Sequence, residues 1–342
     1  MERTTIKEVA KASGCSISTV SLALSDKPSR VSEKTREKVR RIAKELHYSP
    51  NQMAVSLKTK RSNMIGIIMA DMRNPHVASV FTVIDRELRD SGYSLICCTT
   101  NSNNYFDIQR LYDLIAYGID GIIFCNPGLY CMGENWTKIE NLISESHLPI
   151  VGRDNSDFYK NKIGSAVSVN YEEGAYLATK HLLELGHTKI GCITGPINMN
   201  VTEYRLDGYK RALQEFSVEF DPKLIYEGDY EIESGSAALP YLLGQNVSAV
   251  FSFNDNMAFG LFRSARIFGI RIPQDLSVVG FDDVSFDEVL EVPLTSVHIH
   301  SDEISKSMAK EMLRLINTNN HDYQFILYEP HLMVRGSTKR KE

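Results

Sequence analysis

In this 342-residue chain, polar side chains that can hold a small molecule recur just past apolar, strand-like runs. Asp71, Arg73 and Asn74 follow the run 65–69; Arg153 and Asp154 follow 150–152; Asn254 and Asp255 follow 249–253; Asp282 and Asp283 follow 276–281. Arg205 opens the stretch Arg-Leu-Asp-Gly-Tyr after Gly195-Pro196. Carboxylates, an amide and a guanidinium around one cleft make directional hydrogen bonds, which suits a hydroxyl-rich ligand such as a sugar. A plainer role is open to each carboxylate, that of capping the helix after its strand, and Asp255 and Asp283 suit it best. Covalent chemistry finds no comparable support. The chain contains no G-x-G-x-x-G, G-x-x-x-x-G-K-[ST], H-E-x-x-H or G-x-S-x-G pattern, so an enzyme of doubly wound architecture is supported by fold class alone. His187, His298 and His300 are scattered, and His298-x-His300 falls on an apparent strand, where a surface position is expected rather than metal ligation. No catalytic residue, metal ligand or cofactor is assigned.

The elements that must position these residues are strands at 65–69, 94–98, 121–125, 150–152, 189–194, 249–253, 276–281 and 294–299, alternating with helical patterns. Alternation of this kind predicts parallel sheets covered by helices, and continuous apolar runs agree, because such strands are buried on both faces. Ligands of open parallel sheets collect at the carboxyl ends of the strands. Chain crossings near 154–169 and 291–295 would divide the body into two sheets with a cleft between lobes.

The first sixty residues are of a different kind. Residues 1–62 carry fourteen basic and six acidic side chains, a net +8, whereas the remaining 280 carry 24 and 37, a net −13. The overall −5 therefore averages a basic module over an acidic body, a hint of nucleic-acid or membrane-surface binding. Thr5 and Glu8 form a capping-box pattern before Ile6, Val9 and Ala10, which share one helical face. Gly14 marks a turn, and Ser16 caps a second helix with Val20, Ala23 and Leu24 inward and Ile17, Ser18, Ser21 and Leu22 outward. Ser32 caps a third helix through Val39, Ile42, Ala43 and Leu46. Two short helices about a glycine turn with a third across them predict a helix-turn-helix, whose second helix enters the DNA major groove. The alternative is a small three-helix bundle with a merely solvated face. Beyond Pro50, the stretch 51–57 is too short to be a stable helix alone and is followed by Lys58-Thr59-Lys60-Arg61. Folding against DNA with a Leu wedge in the minor groove is one reading of it, and a plain linker is the other.

Composition narrows the remaining classes. With 43% apolar and 24% charged residues the chain is ordinary globular material. No apolar run approaches the roughly 18–20 residues of a membrane span, and the first residues show no apolar signal segment, so a cytoplasmic protein without a membrane partner is expected. Six cysteines without C-x-x-C spacing argue for neither a zinc ribbon nor a disulfide framework.

Several stretches resemble signatures of the LacI/GalR (lactose-repressor) family of bacterial transcription regulators. They include Thr5-Ile6-Lys7-Glu8-Val9-Ala10, Ser18-Thr19-Val20-Ser21, Val31-Ser32-Glu33-Lys34-Thr35-Arg36 and Tyr48-Ser49-Pro50-Asn51. In the body they include Asn74-Pro75, Asn254-Asp255-Asn256-Met257-Ala258, Val279-Gly280-Phe281-Asp282-Asp283 and Arg335-Gly336-Ser337-Thr338. The resemblance covers nearly the whole chain. It implies an α/β protein with an N-terminal all-α helix-turn-helix domain followed by a two-lobed periplasmic-binding-protein-like domain with two parallel sheets. The implied divisions are 1–49 for the DNA-binding domain, 50–62 for a hinge helix and linker, and 63–342 for effector binding and dimerisation. Lobe 1 would span 63–158 and 295–325, and lobe 2 would span 159–292 and 326–342.

By the same resemblance Thr5, Ser16, Ile17, Ser18, Thr19, Ser21, Leu22, Arg30, Asn51, Leu57 and Lys58 take DNA-contact positions, Leu57 as the minor-groove lever. Asn74, His76, Asp154, Arg205, Asn254 and Asp282 take effector-contact positions. The implied partners are double-stranded DNA with a pseudo-palindromic operator, a second copy of the chain, and a small-molecule effector, a sugar or sugar phosphate first and a nucleobase second. The chain departs from the family at three places. Ser21-Leu22 stands where a Ser-Arg pair is usual, removing a guanidinium that reads guanine. Val55 replaces a frequent Arg after Ala54, and His76-Val77 replaces a frequent aromatic pair, which puts ring stacking on a ligand there in doubt.

Overall fold

The computed structural model describes residues 4–25, 30–49, 61–100, 108–125, 134–154, 156–318 and 322–342. They divide into two units, one up to Asn63 and one from Met64. The hinge readings at Asn51, Val55, Leu57 and Lys58 lie outside the described residues.

In the first unit, helix α1 (Ile6–Ser13) begins at the capping box: the Thr5 N–H donates to Glu8 Oε2 at 2.6 Å. That backbone bond also holds the Glu8 carboxyl below its ordinary range. Gly14, at φ 67, takes the left-handed turn that ends α1. Helix α2 (Ile17–Leu24) starts on Ser16, whose Oγ accepts the Thr19 N–H at 3.1 Å, and α3 (Glu33–Glu45) starts on Ser32 in the same way. Val9, Ala10, Val20, Ala23, Val39 and Ala43 make a core confined to this unit. The Arg36 guanidinium donates to the Ser25 carbonyl at 2.6 Å, fastening α3 to the end of α2.

The second unit alternates strands and helices. Its strands are β1 (Met64–Met69), β2 (Ser94–Thr99), β3 (Gly121–Cys125), β4 (Ile150–Arg153), β5 (Ser165–Val169), β6 (Ile190–Thr194), β7 (Ile225–Glu227), β8 (Ala249–Ser252), β9 (Ser277–Asp282), β10 (Thr295–His298), β11 (Phe325–Tyr328) and β12 (His331–Met333). Its helices are α4 (Pro75–Asp90), α5 (Ile108–Ala116), α6 (Glu134–Ser146), α7 (Ser156–Lys160), α8 (Tyr171–Glu184), α9 (Asn200–Glu215), α10 (Ile232–Gly244), α11 (Asp255–Phe268) and α12 (Ser301–Thr318). Among the described residues the strands form two six-stranded sheets, ordered β11-β5-β4-β3-β1-β2 and β12-β10-β9-β8-β6-β7. Every pair is parallel except β10 with β12 at the edge of the second sheet.

Strand pairing moves the lobe crossings from where the sequence put them. Residues 165–169, expected within a crossing, form β5 in the first sheet, so the chain crosses after Val169 and not near 158. Residues 295–298, expected in lobe 1, form β10 of the second sheet, and the crossing falls at 299–300. Strand β11 belongs to the first sheet, so the last crossing falls at 329–330 and not at 325. The backbone pairing decides these boundaries, because each sheet must satisfy its own ladder of N–H and C=O groups.

Helices cover both sheets. Gly260 on α11 lets that helix lie against α10: a Cβ there would sit 1.9 Å from the Ile232 carbonyl oxygen. Phe251, Phe253, Phe281 and Tyr209 are fully buried around the second sheet, and Phe124 packs on Phe158 at 5.2 Å in the first. No helix among the described residues is long and apolar enough to cross a membrane.

Candidate functional site

The carboxyl ends of the strands in both sheets face one cleft, a cavity of about 130 Å³. Asn74, His76, Asp154, Arg205, Asn254 and Asp282 all line it. Local structure explains how each arrives. Asn74 caps α4, its Oδ1 accepting the His76 N–H at 2.9 Å, and Pro75 in the first turn fixes the entry. His76 is thereby set at the mouth of that helix. Asn254 caps α11 by accepting the Met257 N–H at 3.0 Å, and its Nδ2 donates to the Tyr230 carbonyl at 2.9 Å. Its amide is thus already engaged in structure on both sides. Asp154 and Asp282 hold left-handed backbone, at φ 59 and φ 115, just past β4 and at the end of β9. Such conformations cost energy for a residue with a Cβ and cluster where side chains must be aimed.

Arg205 is the centre of the cleft. It is 5% exposed, and its guanidinium lies 4.2 Å from the Phe281 ring centroid, 4.7 Å from Tyr171 and 5.6 Å from Tyr230. It donates to Tyr230 Oη at 3.3 Å and stands 3.8 Å from Asp282 Oδ1, too far for a direct hydrogen bond. Arg153, equally buried, reaches Asp154 Oδ2 through Nε at 3.3 Å, and Asp154 Oδ1 accepts the Ser168 hydroxyl at 3.1 Å. Both Nη atoms of Arg153 and the Nε of Arg205 have no partner among the described residues. Buried guanidinium donors left unpaired cost free energy, so a ligand that accepts from them is favoured by what it relieves.

The charges tune one another. Burial, then the Arg153 and Arg205 charges, holds His76 well below its ordinary range, so it presents a neutral imidazole. Burial raises the Asp282 carboxyl to about 8 against the opposing pull of Arg205. Close by, burial and then the Asp287 charge push Asp255 well up, and burial raises Asp287 to about 7 against a hydrogen bond with Asp255 that pulls it down. An acid whose folded pKa exceeds its unfolded value of about 3.9 binds more protons when folded. Its stabilising contribution is complete below that unfolded value and is lost as pH rises through about 8 for Asp282. The melting temperature of the ligand-free protein is therefore expected to fall as pH rises from about 4 to about 8 and to level off above that. Asp282→Asn should flatten that slope in thermal denaturation; an unchanged slope would assign it to the Asp255–Asp287 pair.

Capping is not the role that Asp255 and Asp283 take. Asp255 is buried and accepts the Ser296 hydroxyl at 2.7 Å and the Val284 N–H at 3.1 Å. Asp283 pairs with Arg335 and His298, each at 2.7 Å. Asp71, in contrast, is tied to its neighbour Arg73 at 2.7 Å. The structure also brings into the cleft Arg153, which the sequence marked at a strand end but the family resemblance did not place among the effector contacts, and Tyr171 and Tyr230, which the sequence reading did not select. The first stands beside Asp154 and carried a signal. The two tyrosines come from a helix start and from a loop, without any spacing that marks them, and together with Phe281 they supply rings that the His76-Val77 pair lacks.

In the first unit, Val20 and Ala23 pin α2 inward, leaving Ile17, Ser18 and Leu22 exposed and Ser21 half-buried on the outer face. Ser16 is occupied as the cap, with its Oγ also 2.9 Å from the Ser18 hydroxyl and 2.8 Å from that of Thr19. Arg30 is exposed, and so is Thr5 at the start of α1.

A helix-turn-helix unit carried on a two-sheet body with a polar cleft defines a DNA-binding regulator coupled to a ligand sensor. Residues 5–51 match the description "Bacterial regulatory proteins, lacI family", and residues 179–338 match "Periplasmic binding protein-like domain". The chain is 32% identical to the HTH-type transcriptional repressor PurR of Aliivibrio salmonicida, over 98% of this chain and 99% of that one. It is 34% identical to the ribose operon repressor of Haemophilus influenzae, over 97% and 98%. Among solved structures it is similar to the lac repressor dimer bound to operator and the anti-inducer ONPF, at 25% identity and a TM-score of 0.82, covering 99% of this chain and all of that one. The chain belongs to the lacI family of bacterial regulatory proteins, and it is a DNA-binding transcription regulator.

Proposed function

We propose that this regulator is a cytoplasmic, non-enzymatic repressor of a carbohydrate-utilisation operon. In this reading residues 1–49 read DNA, 50–62 form the hinge, and 63–342 sense a sugar and dimerise. The observation that carries it is the pair of buried arginine–aspartate couples in the cleft, Arg205 with Asp282 and Arg153 with Asp154, whose unpaired donors match vicinal hydroxyls. The rings of Tyr171, Tyr230 and Phe281 stack on Arg205, so they are already covered on the face that a nucleobase would use. That favours a sugar over a purine, although relatives named for both are similar to this chain.

Asn74, His76, Asp154, Arg205, Asn254 and Asp282 contact the sugar, joined by Arg153. Thr5, Ser16, Ile17, Ser18, Thr19, Ser21, Leu22 and Arg30 face the operator, with Asn51, Leu57 and Lys58 at its hinge. The exposed Ile17 and Leu22 suit thymine methyl groups. Two copies on a two-fold axis would read the two half-sites of a pseudo-palindrome. Effector control requires that the sugar bind the two lobe arrangements with different affinity. A thermal-shift screen of the full chain against sugars, sugar phosphates and purines tests the reading, because a ligand of the native state raises its melting temperature. A sugar is expected to give the largest shift and to change operator affinity in fluorescence anisotropy. A purine that does both, with sugars inert, would overturn the assignment.

A further inference from the structure

His298 and His331 stand directly opposite each other in the antiparallel pair of β10 and β12. Two residues beyond His298 the chain leaves the second sheet. His300, at φ 52, is the last residue before α12, and its carbonyl accepts the Ile304 N–H at 2.9 Å. Three imidazoles therefore meet where the chain passes between lobes. Their centroids are 4.8 Å apart for His298 and His300, 4.7 Å for His298 and His331, and 5.1 Å for His300 and His331. Glu303, exposed in the first turn of α12, adds a carboxylate: one ligand atom from each of His298, His300 and Glu303 lies within 4.8 Å of the others.

We propose that His298, His300, His331 and Glu303 form a binding site for a late first-row divalent metal ion, with zinc the natural probe. The donor set is imidazole and carboxylate without thiolate, which suits zinc, nickel, cobalt or copper and not a hard cation such as calcium. Rings around one tetrahedral ion at metal–nitrogen distances of about 2.0–2.1 Å have centroids roughly 5 Å apart, the spacing found here. The orientation of one ring is fixed from behind. His298 Nδ1–H donates to Asp283 Oδ2 at 2.7 Å, so Nε2 keeps its lone pair, and Asp283 is itself anchored by Arg335. A carboxylate behind a ligating histidine is the usual outer support of such sites. The expectation that His298 and His300 merely occupy a strand surface is revised by His331, which lies thirty-one residues beyond His300 and whose proximity only the β10–β12 register creates.

The position gives the ion something to act on. Two ligands belong to the second sheet and two to the start of a helix that packs in the first lobe, so an ion would tie the crossings at 299–300 and 329–330 together. Ser301, next to His300, lies 3.4 Å through its hydroxyl from His76 Nδ1 in the effector cleft.

The test uses the untagged full-length chain, titrated calorimetrically with zinc in competition with a chelator of known affinity, and with cobalt as a spectroscopic reporter. One equivalent per chain is expected, with visible d–d bands of low-coordinate cobalt and no thiolate charge-transfer band. His331→Ala and Glu303→Gln, both at exposed positions, should each lower zinc affinity by at least about tenfold. His300→Ala combined with His331→Ala should abolish stoichiometric binding. The proposal is overturned if the wild-type chain takes up no stoichiometric ion, if His331→Ala binds zinc as tightly as wild type, or if cobalt reports thiolate ligation. His331→Ala alone decides the matter should the double variant fail to fold.

Discussion

A chain lacking residues 1–62 is expected to bind no operator while keeping its effector. The truncation removes the net +8 and leaves a body of net −13, so the phosphate contacts and the base-reading helix disappear together. Specific binding by such regulators exceeds non-specific binding by about 10³-fold or more, and the whole of that margin should be lost. The sensor should survive, because α1–α3 close around their own core of Val9, Ala10, Val20, Ala23, Val39 and Ala43, while every cleft residue lies beyond Met64. Fluorescence anisotropy on operator DNA and thermal shift with the effector measure the two halves separately. Loss of effector binding as well would mean that the reader is needed to complete the sensor.

Arg205→Ala should have the opposite pattern: operator binding retained, effector response gone. The guanidinium is covered by three rings and faces Asp282, so truncation leaves a buried carboxyl and a void together. Truncating one partner of a buried charge pair costs about 2–5 kcal/mol, which is roughly thirtyfold or more in effector affinity. Arg205→Lys separates charge from shape. Lysine keeps the cation but cannot offer a planar fork of donors or stack in the same way, so most of the loss should persist. If isothermal titration found either variant binding the effector as wild type does, the cleft assignment would be wrong.

What the sequence disclosed follows from what carries periodic or positional signals. The buried strands β1, β3, β4, β6, β8 and β9 are continuous apolar runs and were readable nearly to the residue. Strands β7, β11 and β12 are three or four residues long and partly exposed, so no run or alternation marks them. Strand β5, Ser-Ala-Val-Ser-Val, is buried throughout, but three of its five residues are serine or alanine, so its composition reads as a connection. Missing β5 and β11 misplaced two of the lobe boundaries, and the third was misplaced because β10, although read as a strand, was assigned to the first lobe. Charged residues at strand ends were visible as site candidates because polar groups are rare there without a reason. The tyrosines that flank Arg205 were not, because tyrosine is ordinary at a helix start or in a loop. The roles of Asp255 and Asp283 were likewise hidden, since their partners Ser296, His298 and Arg335 are brought in by the second sheet.

The three crossings between sheets also set an order of completion during synthesis. The first sheet is not finished until β11 is made, and the second not until β12, while α12 must fold back onto a lobe begun at residue 64. The reader, in contrast, is complete by residue 49 with its own core. At about 5–20 residues per second, roughly a quarter to one minute separates the two events on the ribosome. For that interval the nascent chain carries a folded DNA reader without a working sensor. Under the proposed arrangement, in which two readers are joined through finished sensors, the late closure of the body delays tight operator binding until the molecule is able to respond to its signal.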